Sequence, residues 1–221
     1  MADQNSFSTT LAADAARVTE LAAIASYAQI GRGDEKHADQ LAVDAMRTAL
    51  NALDIDGKIV IGEGERDEAP MLYIGEKVGT GKGPAIDIAL DPLEGTTLTA
   101  KAMANALTVL SMSASGGMLH APDTYMDKIA IGPGYAPGTV DLDMSPQENV
   151  RSLASAKGVD PRDLTVCVMD RPRHDKLIAA LREVGARVMM ITDGDVAGVI
   201  HTAEPETGID LYLGSGGAPE G

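Results

Sequence analysis

The stretch LTVCVMDRPRHDKLIAALREVGARVMMI, running from Leu164 to Ile191, decides the fold class. Leu164 to Met169 is apolar and rich in β-branched residues and reads as a strand. Arg173 to Val184 carries helix-forming residues and is closed by Gly185, the residue type that ends helices in a left-handed turn. Ala186 to Ile191 is the next strand. Upstream, Ser145-Pro146-Gln147-Glu148 is a complete helix start, with Ser as N-cap, Pro in the first helical position and Glu placed to close a capping box. That helix runs to about Lys157 and stops at Gly158. Downstream, Asp193 is expected to cap a short helix reaching about Ile200, and Ile209 to Leu213 is one more strand. The β-α-β-α-β alternation predicts a parallel sheet flanked by helices, an α/β fold.

The N-terminal half reads differently. Residues 10–30 are Ala-rich with helical spacing, Gly31-Arg32-Gly33 breaks them, and Asp34 can cap a second helix to about Leu53. Lys58 to Ile61 is a short buried strand that ends at Gly62-Glu63-Gly64-Glu65. Ala85 to Leu90 is a second strand ending at Asp91-Pro92, followed by a helix from Thr96 to Met103. Ala106 to Ser115 and Tyr125 to Ile131 read as further strands. The Gly- and Pro-containing loop from Gly132 to Ser145 is the expected boundary, giving a half over 1–135 and a half over 136–221. The sequence stops at Gly221, just past a Gly-rich loop and with no closing helix, which predicts a chain truncated at its C-terminus.

Composition narrows the function. The chain has 221 residues, 44% of them apolar and 3% aromatic, so its core is built from Ala, Val, Ile, Leu and Met. A formal net charge of −15 excludes a general nucleic-acid binder, because phosphate backbones require a Lys/Arg surface. The same charge means that a phosphorylated ligand needs divalent metal ions or placed arginines to overcome repulsion. Cys167 is the single cysteine, so no internal disulfide forms, and its apolar setting reads as a buried core thiol. No apolar run is long enough for a bilayer, and Met1 to Thr10 has no signal-peptide pattern; the reading is a cytoplasmic protein with no membrane partner.

Four segments carry candidate chemistry. In Asp91-Pro92-Leu93-Glu94-Gly95-Thr96, two carboxylates flank a Pro turn at a strand end, an oxygen-donor arrangement that suits a hard divalent ion such as Mg2+ or Mn2+; a surface turn is the plain alternative. Gly95-Thr96 opens a helix whose N–H groups can receive a phosphate, and the Thr96 hydroxyl stands close enough to position a water. Gly62-Glu63-Gly64-Glu65-Arg66-Asp67-Glu68 forms an acidic lip after a buried strand, or a solvated charge run. Asp39, taken alone, reads as a solvated helix face, and Glu220, after Gly214-Ser215-Gly216-Gly217-Ala218-Pro219, carries no signal by itself. Arg171-Pro172-Arg173-His174 follows a strand and reads either as an anion clamp or as a solubilising helix start. Asp193-Gly194-Asp195 lies at the equivalent end of the next strand, where α/β sheets place their ligand crevices. His37, His120 and His201 have no partners at metal spacing.

Taken jointly, Gly31-Arg32-Gly33-Asp34, Ile61-Gly62-Glu63-Gly64-Glu65, Asp67-Glu68-Ala69-Pro70-Met71-Leu72-Tyr73, Asp91-Pro92-Leu93-Glu94-Gly95-Thr96, Asp193-Gly194-Asp195-Val196-Ala197 and Gly216-Gly217-Ala218-Pro219-Glu220-Gly221 closely resemble class II fructose-1,6-bisphosphatase, the GlpX type. The Asp-Pro-Leu-Glu-Gly-Thr segment is also similar to the signature of the wider inositol-monophosphatase superfamily, with Glu for the second Asp. The resemblance implies a layered α-β-α-β-α sugar-phosphatase fold. It implies two divalent ions, Mn2+ or Mg2+, on Asp39, Glu63, Asp91, Glu94 and Glu220. Thr96 is the residue it points to for activating water, with Asp67 as a second candidate catalytic residue. It places substrate contacts at Glu94, Gly95, Thr96, Tyr125, Arg171, Pro172, Arg173, Asp193, Gly194, Asp195 and Gly217. The implied activity is hydrolysis of the 1-phosphate of fructose 1,6-bisphosphate, in gluconeogenesis and glycerol metabolism, by a homo-oligomer. Alternatives are an enzyme that also takes sedoheptulose 1,7-bisphosphate, and a truncated, non-catalytic metal-binding chain. Glu35 stands between Asp34 and Lys36, where many family members carry Lys directly, and family members continue past the Gly-Gly-Ala-Pro-Glu-Gly motif.

Overall fold

A computed structural model describes residues 9–62, 72–119 and 124–218. The chain divides into two compact units, Met1–Pro122 and Asp123–Gly221.

The first unit packs two helices on a four-stranded sheet. Helix α1 spans Thr9–Tyr27 and helix α2 spans Glu35–Asn51. Asp34 caps α2 as its sequence position predicts, its side chain accepting from the His37 amide at 3.0 Å. Ala38, Ala42, Val43, Met46 and Leu50 are buried along α2, a spacing that lines one helical face. The strands are β1 (Asp56–Ile61), β2 (Lys77–Val78), β3 (Ala85–Glu94) and β4 (Leu107–Ala114), in the order β2-β1-β3-β4. β1 and β3 are parallel and the outer pairs antiparallel. Along β3, Ile86, Ile88 and Leu90 alternate into one core with Ile59, Val18, Ala22, Met46 and Leu50. Asp87 points the other way and accepts from the Gly116 amide at 2.6 Å and the Ser115 hydroxyl at 3.2 Å, fixing the turn that leaves β4.

Two local expectations are corrected here. β3 does not end at Asp91-Pro92; it continues to Glu94, with its register against β4 shifting between Asp91 and Glu94. Pro92 has no N–H to give a ladder, and a bulge is where a strand tolerates that loss. The helix expected over Thr96–Met103 is five residues long, α3 (Thr96–Ala100).

The second unit is a three-layer α/β arrangement. It contains β5 (Tyr125–Ile131), α4 (Pro146–Lys157), β6 (Thr165–Met169), α5 (Asp175–Glu183), β7 (Arg187–Ile191), α6 (Asp195–Thr202) and β8 (Leu211–Gly217). The sheet order is β5-β8-β6-β7, with β6 parallel to both β7 and β8, as the alternation predicts. β5 is an antiparallel edge strand paired with β8 from Tyr125↔Gly217 to Ile131↔Leu211. That ladder places β5 in the second unit, ahead of the Gly132–Ser145 loop. Val166, Val168, Leu211 and Leu213 pack with Val150 and Leu153 of α4 and Ile178 and Leu181 of α5. The alternate positions Cys167 and Tyr212 form a separate cluster with Ile209 and with Val199 of α6. The period of two thus sends α4 and α5 to one face and α6 to the other. Burial pushes the Cys167 thiol up to about 11, so it is an inert core group.

The capping box at Ser145 forms in full, and Gly158 adopts the left-handed conformation at the end of α4. Two other helix starts differ from expectation. A single 3-10 turn, Pro172–His174, precedes α5. Gly194, with φ 80°, is the N-cap of α6, so Asp193 does not cap it. Among the described residues no helix is long and apolar enough to cross a membrane.

Candidate active site

In the first unit the candidate residues gather on α2, the bulged end of β3 and α3. Backbone hydrogen bonds from Gly31 N to Thr99 O (2.9 Å) and from Gly33 N to Ala100 O (3.0 Å) fasten the break before α2 to α3. Asp39, one turn into α2, is the unusual member. Its Oδ1 is shut off from solvent and has no hydrogen-bond partner among the described residues. Burial pushes its carboxyl above the usual aspartate value. An ionised oxygen in that position is costly unless a cation or donor meets it.

Asp91 and Glu94 lie on either side of the β3 register shift. Asp91 Oδ1 accepts from the Leu93 amide at 2.9 Å, closing a tight turn over Pro92, and Glu94 is buried. Gly95 follows with φ 90°, a left-handed conformation that favours glycine, and its chain turns directly into Thr96. A five-residue helix sums few peptide dipoles, so whatever an anion gains at Thr96 comes from individual N–H groups rather than from a macrodipole. Glu63, Asp67 and Glu220 lie outside the described residues. Among the described residues no three His, Cys, Asp or Glu side chains stand together as a metal-binding group. The orphaned Asp39 oxygen and the all-oxygen donor set nonetheless suit a hard divalent cation.

In the second unit a different cluster forms. The Arg173 guanidinium carbon stands 4.8 Å from the centre of the Tyr125 ring, and its Nε donates to Ser215 O at 2.9 Å. Tyr125 is paired with Gly217 across the β5–β8 ladder. Tyr125, Arg173 and Gly217 are therefore brought together. Arg171 donates to Asp170 O at 3.2 Å and stands 3.9 Å from Asp193 Oδ1, a long, partly exposed contact of little energetic weight.

The chain matches the family described as "Bacterial fructose-1,6-bisphosphatase, glpX-encoded" over residues 9–221. It belongs to that family. Fructose-1,6-bisphosphatase 1 class 2 of Escherichia coli (strain K12) is 55% identical over 211 residues, 96% of this chain and 62% of the relative. Fructose-1,6-bisphosphatase class 2 of Haemophilus influenzae is 49% identical, over 96% of this chain and 63% of the relative. The chain spans somewhat over three-fifths of the length of these curated relatives.

Within this fructose-1,6-bisphosphatase family chain, one expected contact has a different environment from the one read in sequence. Asp195 is buried, and its Oδ2 accepts from Lys128 Nζ at 2.7 Å in an ion pair whose two side chains are each 7% exposed. Its carboxylate is thus engaged inside the unit. A Cβ on Gly216 would sit 2.6 Å from Asp195 Oδ2, so the pair needs a glycine on β8. Sequence reasoning misses Lys128. Its one signal is a lone lysine within the apolar end of β5, in a chain with a large negative charge.

Proposed function

We propose that this chain is part of a metal-dependent phosphatase that hydrolyses the 1-phosphate of fructose 1,6-bisphosphate, giving fructose 6-phosphate and phosphate. The observation that carries the reading is Asp39 Oδ1, a buried carboxylate oxygen with no partner among the described residues, on a helix fastened to the segment that bears Asp91, Glu94 and Thr96. Membership of a family whose curated relatives are named fructose-1,6-bisphosphatases supports the choice of substrate.

In this reading Asp39, Glu63, Asp91, Glu94 and Glu220 hold two divalent ions, Mn2+ or Mg2+. When bound, such ions offset phosphate charge and act as Lewis acids on phosphoryl oxygens. The Thr96 hydroxyl orients a water for in-line attack, with Asp67 as a second catalytic candidate. Backbone N–H groups at Gly95 and Thr96 hold the transferring phosphoryl oxygens. Tyr125, Arg171, Pro172, Arg173 and Gly217 take the distal phosphate, and Asp193, Gly194 and Asp195 the sugar side, Asp195 through its backbone because Lys128 engages its carboxylate. Placement in gluconeogenesis, a cytoplasmic location and a homo-oligomeric state complete the proposal.

The test pairs two substitutions. Asp91→Asn is expected to abolish phosphate release together with metal binding, and Arg173→Ala to raise KM with kcat largely kept. Turnover by Asp91→Asn near the parent rate contradicts the scheme, and an unchanged KM in Arg173→Ala removes that arginine from the substrate site.

A further inference from the structure

The geometry points to His174, in its neutral form with the proton on Nδ1, as a positioning residue that seats Arg173 and the end of β8 for binding a sugar phosphate. The inference deepens the proposed function and rests on it.

The parallel ladder between β6 and β8 registers at Val166↔Leu211 and Cys167↔Tyr212. β8 continues to Gly217, paired on its other side with β5. Beyond Tyr212 the ladder to β6 does not continue among the described residues, and the half-buried Ser215 takes its partners elsewhere. Side chains of the Pro172–His174 turn supply them at Ser215. The Ser215 amide donates to His174 Nε2 at 2.9 Å, and Arg173 Nε donates to Ser215 O at 2.9 Å. One residue of β8 is thus held at both its N–H and its C=O by consecutive side chains of one turn.

The partners fix the tautomer. A backbone N–H can only donate, so Nε2 must be the bare, accepting nitrogen. The other ring nitrogen lies 2.8 Å from Met169 O, a carbonyl that can only accept, so Nδ1 carries the proton. His174 is 3% exposed, and its ring is held between the end of β6 and β8. A Cβ on Gly214 would stand 3.2 Å from Tyr212 Oη and in ordinary van der Waals contact with the ring at 3.5 Å, so β8 passes directly against His174.

Withdrawing the accepting nitrogen leaves the Ser215 N–H without its partner and loosens the strand to which Arg173 is tied. The guanidinium then loses its seat over Tyr125. The affected residues, Tyr125, Arg173 and Gly217, are proposed substrate contacts, while Thr96, assigned to the chemistry, lies in the first unit. Loss therefore falls on binding.

Two variants separate acceptor from bulk. His174→Phe keeps size and apolar packing without an acceptor; His174→Gln keeps an acceptor near the Nε2 position and cannot become an imidazolium. The protein is titrated with fructose 6-phosphate, and KM and kcat are measured with fructose 1,6-bisphosphate. His174→Phe is expected to weaken binding and raise KM about tenfold, the scale of one part-buried donor left without its partner, with kcat within about twofold. His174→Gln is expected to remain within about threefold of the parent in both. In the parent, 15N shifts of the ring are expected to report Nδ1–H with a bare Nε2. An Nε2–H tautomer, or His174→Phe with unchanged binding and KM, overturns this role alone. Parent protein that neither binds fructose 6-phosphate nor turns over fructose 1,6-bisphosphate overturns the functional reading as well.

Discussion

Asp39→Asn is expected to stabilise the protein without divalent ions and to remove its response to them. Asp39 Oδ1 has no solvent contact and no hydrogen-bond partner among the described residues, and burial raises the pKa of the group. A buried polar oxygen left unmatched costs about 1–3 kcal/mol. Replacing the carboxylate with a neutral amide of the same shape relieves the charged part of that cost. The sign follows from linkage: an acid whose folded pKa is raised contributes stability below its unfolded pKa and loses it as pH rises through the folded value. Thermal melts in chelator should therefore show Asp39→Asn above the parent at neutral pH, with the two converging in acid. For a chain of this size each kcal/mol moves the midpoint by about 2–4 °C. Saturating Mn2+ should reverse the order, since a ligand at about a hundred times its dissociation constant adds ~2.7 kcal/mol to the form that binds it. An Asp39→Asn protein that is less stable in chelator, or that gains as much from Mn2+ as the parent, refutes the reasoning.

Two further outcomes test the fold around the site. Lys128→Met strands Asp195 as a buried unpaired charge and should cost about 3–5 kcal/mol in denaturant unfolding; a loss under ~1 kcal/mol shows that the pair is not desolvated. Ser145→Ala should cost about 1 kcal/mol by removing the N-cap of α4. Hydrogen bonds from Ser145 hold the Glu148 carboxyl below its usual value, so their stabilisation is present above the ordinary glutamate pKa and fades as pH falls through the folded one. The Ser145→Ala deficit should therefore shrink in acid, and a deficit independent of pH contradicts the capping box.

What the sequence makes legible is what neighbours along the chain determine. The Ser145 box, the Asp34 cap and the strand-helix-strand rhythm from Leu164 to Ile191 are local patterns, and the structure reproduces each. Some departures are local, such as the 3-10 turn before α5 and Gly194 as the cap of α6; others come from partners distant in sequence. β3 crosses Pro92 because β4 pairs with it on both sides of a bulge, and β2 exists because two residues find β1. β5 belongs with β8 because their antiparallel ladder runs the length of both strands, from Tyr125↔Gly217 to Ile131↔Leu211.

The site divides in the same way. Asp91, Glu94 and Thr96 are legible as one short motif, and Arg173 as part of a basic turn. The burial of Asp195 is not, because its partner Lys128 lies on another strand. The seat of His174 depends on Ser215, at the far end of the unit's sequence. Asp39 shows the limit most clearly: along the chain it is one acid among several on a helix, and nothing in that local pattern marks its Oδ1 as the oxygen that folding shuts off from solvent.

The most direct test of the central claim is phosphate release from fructose 1,6-bisphosphate by the purified protein, in Mn2+ or Mg2+ and again in excess chelator, with the sugar product identified. Release that depends on the divalent ion and yields fructose 6-phosphate is the predicted result. Equal release in chelator, or fructose 1-phosphate as the product, would contradict it.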